Sequence, residues 1–244
     1  MMKKSFLLVA LAGLLMTQSC AGQQKPFGRV LGDIVKATTT KGGLSNDDIV
    51  AGLKEALQVG INKGADSASK VDGYFKNNLI KILFPPEAQR VETALRKIGM
   101  GAEVDKFVLA LNRGAEDAAK EAKPIFINAI FSMTFTDALS ILKGEKNAAT
   151  NYLKRTTTEQ LITAFSPVME KALQKTQATK YYTDLATTYN KLPFTQKVNP
   201  DLKQYATQKA IDGLFVLVEQ EEARIRENPL ARTSDILKRV FGSI

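Results

Sequence analysis

The chain has 244 residues, 44% of them hydrophobic, and a formal net charge of +9 from 34 Lys and Arg against 25 Asp and Glu. It has one cysteine and neither histidine nor tryptophan. This excludes Ser-His-Asp and Cys-His catalysis, histidine-ligated zinc, haem on a proximal histidine and Glu-x-x-His di-iron bundles, and one cysteine makes neither a disulfide framework nor a cysteine metal site. Carboxylate, lysine, tyrosine or hydroxyl chemistry remains, or no chemistry; no cofactor is expected.

Lys3 and Lys4 precede an apolar run from Phe6 to Met16, too short for a membrane span. This reads as an export signal over residues 1–19. The sole cysteine, Cys20, lies just past it, where a bacterial lipoprotein carries its acylated first residue. Ser19-Cys20-Ala21 also fits ordinary cleavage after Ala21. Loss of residues 1–19 removes two lysines and no acid and leaves +7. No later stretch has the roughly 18 consecutive apolar residues of a membrane helix. Residues 20–43 are expected to hold the lipidated Cys20, a polar tether from Ala21 to Lys25, a short helix from Phe27 to Ala37 and a turn-rich linker from Thr38 to Gly43. The envelope, on the periplasmic side of the outer membrane, is the expected location. The basic charge suits anionic lipid or envelope polymer, or is a solvated surface; nucleic acid is not expected, because no binding motif is present and export removes that partner.

From residue 44 to 244 the pattern is helical, and a single all-α domain is predicted. Ser45 is an N-cap with acids in the first turn. Ile49, Leu53, Ala56, Leu57, Gly60, Ile61, Gly64, Ala65 and Ala68 make the inner stripe of a long helix, and Gly60 and Gly64 predict a tight helix crossing. Asp72-Gly73 breaks it. Tyr74 to Leu83 is short and apolar, and Pro85-Pro86 starts a helix from Glu87 to Ile98.

The next stretch, 101–158, is the densest. Val104, Phe107, Val108, Leu111, Ala115, Ala118, Ala119 and Ala122 recur at helical spacing. Asn112 flanks that face. Arg113 reaches Glu116 or Asp117, and Glu116 reaches Lys120. These are either exposed helix pairs or a partly buried cluster that docks a neighbouring helix or a ligand. Pro124 should close this helix and open the next, which is apolar on nearly all sides from Ile125 to Met133 and is therefore expected to be buried. Thr134 caps another helix with Asp137 at N3, although a capping box usually has Glu or Gln there. Gly144 ends it.

Ala148 to Thr156 continues helical, and a new helix is expected from Thr158, kinked at Pro167. Tyr181, Tyr182, Leu185 and Tyr189 form an aromatic stripe, either core or a pocket wall. Leu192 to Pro200 reads as a loop. From Asp201 one long helix runs to Glu227, with Ile211, Leu214, Phe215, Val218 and Ile225 inward and Glu219, Glu221 and Glu222 where it turns polar. Asn228-Pro229 stops it, with Asn as the next N-cap. Ile236, Leu237, Val240 and Phe241 dock a final helix. Val71-Asp72-Gly73-Tyr74-Phe75 echoes Ile211-Asp212-Gly213-Leu214-Phe215, with no match beyond.

Several segments together resemble the bacterial domain-of-unknown-function 4197 family, exported proteins often read as lipoproteins. They are Gly52 to Leu57, Leu111 to Glu116, Met133 to Ala138, Ala148 to Thr150, Asp212 to Phe215 and Ile225 to Thr233. Gly114 stands where the family pattern has alanine. The resemblance implies export and a helical fold and carries no activity.

Three functions remain open. One is a lipid-anchored periplasmic binding or scaffolding module for an apolar small molecule or an envelope protein, with Phe126 to Met133 and the tyrosine stripe enclosing a lipid-like ligand. Another is a structural protein contacting anionic membrane or polymer. The third is a hydrolase using two of Glu116, Asp137 and Glu221, which would need two acids about 5–9.5 Å apart. The candidate polar positions are Asn112, Arg113, Glu116, Asp137, Arg226, Asn228 and Arg232, either a binding site or ties between helix ends and carboxylates.

Overall fold

A computed structural model describes residues 45–242, apart from 176, 192–196, 200 and 233. The expectations for residues 1–43, including Cys20, lie outside the described residues. Helix α1 spans Asn46–Ser69, α2 Gln89–Lys97 after a 3-10 turn Pro86–Ala88, and α3 Gly101–Ala119. Then come α4, Ala122–Phe131, α5, Phe135–Lys143, α6, Ala148–Gln174, and α7, Gln177–Tyr189. Helix α8 spans Leu202–Glu227 and α9 Asp235–Gly242, with a 3-10 turn Pro229–Ala231 between them. No strand occurs among the described residues, so the fold is all-α. Among the described residues no single helix is long and apolar enough to cross a membrane.

Of the four long helices, α3 and α8 pack on each other and on both α1 and α6. Their stripes supply many of the large fully buried side chains, among them Phe107, Phe165, Leu53, Ile61, Leu111 and Leu161. The glycines of α1 set a close crossing with α8. A Cβ on Gly64 would lie 3.5 Å from the backbone N of Val218 and 3.6 Å from the carbonyl carbon of Leu217. The face of α1 therefore rests on the α8 main chain itself, as the spacing of Gly60 and Gly64 predicts.

Caps fix the helix starts. Ser45 and Asp48 form a capping box on α1, and Thr134 and Asp137 form one on α5. Aspartate thus serves at N3, where glutamate is more usual. Asp201 caps α8 by accepting from the amides of Lys203 (3.0 Å) and Gln204 (3.3 Å).

The structure departs from the sequence reading at three joints. The break between α3 and α4 falls at Lys120-Glu121, and Pro124 sits inside the first turn of α4, where its missing N–H costs nothing. Helix α4 buries one face only: Ala122, Phe126 and Ile130 are buried, and Phe131 is 62% exposed. It lies against α1 and α6 at the margin of the core, and Lys54 Nζ donates to the Phe131 carbonyl at 2.9 Å, closing its C-terminus. Finally, α6 is one helix through Thr158 and Pro167. Thr158, which suggested a new start, and the two threonines before it donate back to carbonyls one turn earlier: Thr156 to Tyr152, Thr157 to Leu153 and Thr158 to Lys154. A hydroxyl used this way cannot cap. Ile162, next to the buried Leu161, is 39% exposed.

Of the tyrosine stripe, Tyr182 is fully buried and donates to the Asn199 carbonyl at 2.7 Å; the side chains of Tyr181, Leu185 and Tyr189 lie outside the described residues. So do those of Ile236, Leu237 and Phe241, whereas Val240 is buried.

Candidate functional site

Between α1 and the Pro86 turn the chain makes no helix. Residues 71–84 run as turns and then as an extended segment, 81–85. The reason lies in the residues: Asp72 takes a left-handed φ of 67°, which ends a helix, and a Cβ on Gly73 would meet the Ala68 carbonyl oxygen at 2.5 Å. Beyond the turn the side chains alternate. Ile80, Ile82 and Phe84 are buried, whereas Leu79 is 70% and Leu83 55% exposed, with Lys81 between them half-buried. That two-residue period is the signature of extended backbone.

The polar cluster of α3 holds this segment from below. Asn112 is fully buried: its Oδ1 accepts from the Ile82 amide (2.9 Å), and its Nδ2 donates to the Ile82 carbonyl (2.8 Å) and to the Val108 carbonyl (2.7 Å). Glu116, also buried, accepts from the amides of Tyr74 (3.1 Å) and Phe75 (3.2 Å) and pairs with Arg113. Arg113 also pairs with Asp72 (2.7 Å), which holds Lys76 at 2.8 Å. Hydrogen bonding, first from Lys76 and then from Arg113, holds the Asp72 carboxyl below the ordinary aspartate range, and Glu116 and then Asp72 raise the Arg113 guanidinium. Of the two readings of these residues the buried cluster is the one observed, but it docks a loop and not a helix. Lys120 pairs with Asp117 rather than Glu116.

Tyr74 completes the anchor. Its ring is fully buried, its hydroxyl donates to the Ala210 carbonyl at 2.6 Å, and burial pushes its pKa far up. A Cβ on Gly213 would stand 2.8 Å from its Cε1 and 3.1 Å from Ile80 Cβ. The echo between residues 71–75 and 211–215 is therefore no repeat: one copy is a turn, the other is mid-helix, and Gly213 makes room for Tyr74.

Above the extended segment lies an open groove of about 900 Å³. One wall comes from α2 and α3, with Glu92, Arg96, Asp105 and Val108; the other from α8, with Tyr205, Lys209, Asp212 and Val216. Leu79, Lys81 and Leu83 line it too. Arg96 pairs with Glu92 (3.0 Å) and Asp105 (2.9 Å), and Lys209 lies 3.9 Å from Asp212. Lys81 has a different neighbour: its Nζ sits 4.4 Å above the centre of the Phe75 ring. Tyr205 donates to the Leu83 carbonyl at 3.2 Å.

The other sequence-derived positions fall elsewhere. Arg226 is bound to buried Glu222 (2.9 Å) and donates to the Ile141 carbonyl (2.8 Å). Arg232 donates to the carbonyls of Ile225 (3.1 Å) and Arg226 (2.9 Å), and Asn228 accepts from the Leu230 amide (2.9 Å). These three close the C-terminal end of α8. Asp137 belongs to the α5 capping box, whose Thr134 hydroxyl holds its carboxyl below the usual range, and lies 3.8 Å from Arg155. It lines a shallow depression of about 500 Å³ with Ser140, Glu145 and Asn151. Glu221 pairs with Arg224 at 2.6 Å. A third cavity, about 20 Å³ beside Glu222, has room for about one water. No two of Glu116, Asp137 and Glu221 line the same one of these three cavities. The lipid-like pocket expected at Phe126 to Met133 is filled there: Phe126 and Ile130 are fully buried, and Phe126 meets Phe215 edge-on at 5.7 Å. Among the described residues no group of three or more acids or other ligands could hold a metal ion.

Sequence reasoning took Glu222, the second buried carboxylate, only as one of three acids where the helix turns polar. It accepts from the amides of Ala149 (3.0 Å) and Thr150 (2.8 Å), the Thr150 hydroxyl (2.8 Å) and Arg226. The signal was there: Glu222 is four residues after Val218 and three before Ile225, inside the α8 stripe. Lys81 and its groove had no comparable signal, because both arise from the fold.

No curated protein and no solved structure matches the chain. The family described as "Protein of unknown function (DUF4197)" matches residues 43–242, nearly all of the helical region, and the chain belongs to that family.

Proposed function

We propose that this chain is a non-enzymatic, lipid-anchored helical module of the bacterial envelope that binds an apolar partner in the groove over residues 79–84. The anchor reading rests on the apolar run Phe6 to Met16 followed by Cys20. One observation carries the binding reading: Leu79 and Leu83 stand out into the groove from a backbone that Asn112, Glu116 and Tyr74 hold from beneath. Irregular backbone held by buried polar groups presents side chains in a fixed geometry, and fixed geometry with exposed apolar surface is what a recognition site has. Both Glu116 oxygens and both terminal nitrogens of Arg113 already have partners within the fold.

Native mass spectrometry of the full chain, purified without detergent, tests this. Added mass that survives purification, and that Leu79→Ser together with Leu83→Ser abolishes, supports groove binding. A ligand retained by that double variant overturns it. Acylation is tested separately: Cys20→Ala should abolish incorporation of labelled palmitate, and unchanged labelling removes the anchor.

A further inference from the structure

We infer that the groove takes a free single-chain amphiphile with one negative head group, the head on Lys81 and the chain along Leu79, Leu83, Val108 and Val216. This rests on the groove being the binding site and adds the chemistry of its occupant. The lining carries three cations, Lys81, Arg96 and Lys209, and three acids, Glu92, Asp105 and Asp212. Arg96 is taken up by Glu92 and Asp105, and Lys209 faces Asp212. Lys81 is the lining cation that no carboxylate pairs with among the described residues, and its Nζ rests 4.4 Å above the Phe75 ring. The ring face supplies weak attraction and no hydrogen-bond acceptor, so the donors of the ammonium face the groove or solvent. Next to it on either side stand the two exposed leucines. One positive point flanked by apolar surface matches one anionic head on one acyl chain.

The charge balance also decides between a free molecule and a membrane surface. An anionic bilayer presents a sheet of negative charge, and its attraction grows with each additional lysine or arginine near the surface. Here the acids of the groove equal its cations, so a sheet gains nothing on balance, whereas a single head group feels mainly its nearest partner, Lys81. The groove volume of about 900 Å³ exceeds what one acyl chain fills, and its open top admits the chain without a lid.

The test uses the full chain with cis-parinaric acid, the uncharged methyl ester of that probe, and phosphatidylglycerol vesicles. The acid should bind saturably, and the ester at least about tenfold more weakly, the difference one charge-assisted hydrogen bond makes. Lys81→Gln should reduce acid affinity to that of the ester, Lys81→Arg should restore it, and thermal unfolding should show both variants folded. Leu79→Ser with Leu83→Ser should weaken acid and ester alike. Equal binding of acid and ester, unchanged by Lys81→Gln, overturns the charge assignment and leaves the groove standing. Binding unaffected by the leucine substitutions overturns the groove itself. Vesicle binding without acid binding overturns the free amphiphile in favour of a membrane. No binding of any probe overturns the amphiphile, and added mass in the native spectrum would then still support the groove.

Discussion

The carboxamide of Asn112 pairs with both main-chain groups of Ile82, accepting from its N–H at 2.9 Å and donating to its carbonyl at 2.8 Å. One side chain thereby does for an extended residue what a neighbouring strand would do. Asn190 does the same for Val198, donating at 2.6 Å and accepting at 2.7 Å. An all-helical protein has no sheet to satisfy an extended segment, and buried main-chain groups left without partners are costly. Asn112→Leu fits the space roughly and offers no hydrogen bond. It should destabilise the fold by about 2–4 kcal/mol, since two buried backbone groups lose their partner. Denaturant unfolding measures this, and hydrogen exchange should show the Ile82 amide losing protection first. A loss below about 0.5 kcal/mol would mean that water replaces the amide fully.

Glu222 ties the end of α8 to the start of α6 through two amides, one hydroxyl and Arg226. Removing it leaves the partly buried Arg226 guanidinium with only the Ile141 carbonyl and takes the acceptor from those donors. Glu222→Ala should cost about 3–5 kcal/mol. Glu222→Gln keeps an acceptor and should cost less. If the alanine variant unfolds at the same denaturant concentration as the parent, the network is not a structural tie.

Gly114 faces α6, and a Cβ there would lie 2.7 Å from Ala172 Cβ and 3.2 Å from Met169 sulfur. Alanine is the better helix former by about 1 kcal/mol, yet Gly114→Ala should destabilise by about 1–3 kcal/mol from crowding. Ala172→Gly should recover part of this in the double variant. A double-mutant cycle checks it; additive effects would mean the two helices move apart freely.

Acid should lower the stability of this protein. The carboxyls of Asp72, Asp137 and Glu227 are all lowered, by bonds first from Lys76, Thr134 and Lys146 respectively. A carboxyl lowered by folding contributes stability above its unfolded pKa, near 4, and loses it as pH falls through the folded value. Melting temperature should therefore be flat down to about pH 5 and drop below about pH 4. Asp72→Asn should shallow that drop. At the alkaline end the sign reverses. Burial pushes Tyr182 up to about 12, so its contribution is whole below the unfolded tyrosine pKa near 10 and is lost between there and its folded value. Tyr182→Phe should reduce the alkaline loss.

How far the sequence could be read follows from what each feature depends on. Helix stripes depend on local spacing, so Leu53, Phe107, Leu111 and Ile225 face inward as their spacing predicts. The glycines of α1 were legible because spacing at i, i+4 puts both on one face. Local chemistry also revealed the Thr134 cap and the Asn228 stop. Reading failed where a residue had two uses: the hydroxyls of Thr156 to Thr158 bond backward within a helix as readily as they start one. It failed as well where the decisive partner was remote. Asn112 and Glu116 were singled out for their position, but nothing local says that their partners lie 30 and 42 residues upstream. The groove depends on three separate segments, so no pattern within one of them announces it.

The Tyr74 hydroxyl and the Ala210 carbonyl are separated by 136 residues. During synthesis from the N-terminus, the turn at 72–75 therefore waits for more than half the protein before its last contact exists. Until α8 arrives, Tyr74 and Ile80 lack the Gly213 face that covers them, beside Leu79 and Leu83, which the finished fold leaves exposed. Closing such a distant contact is slow, and uncovered apolar surface in that interval favours association between chains. The loop displayed by the native molecule is thus also the segment that an unfinished chain most needs a chaperone to cover, and truncation before Ala210 should leave a product that aggregates through residues 74–84.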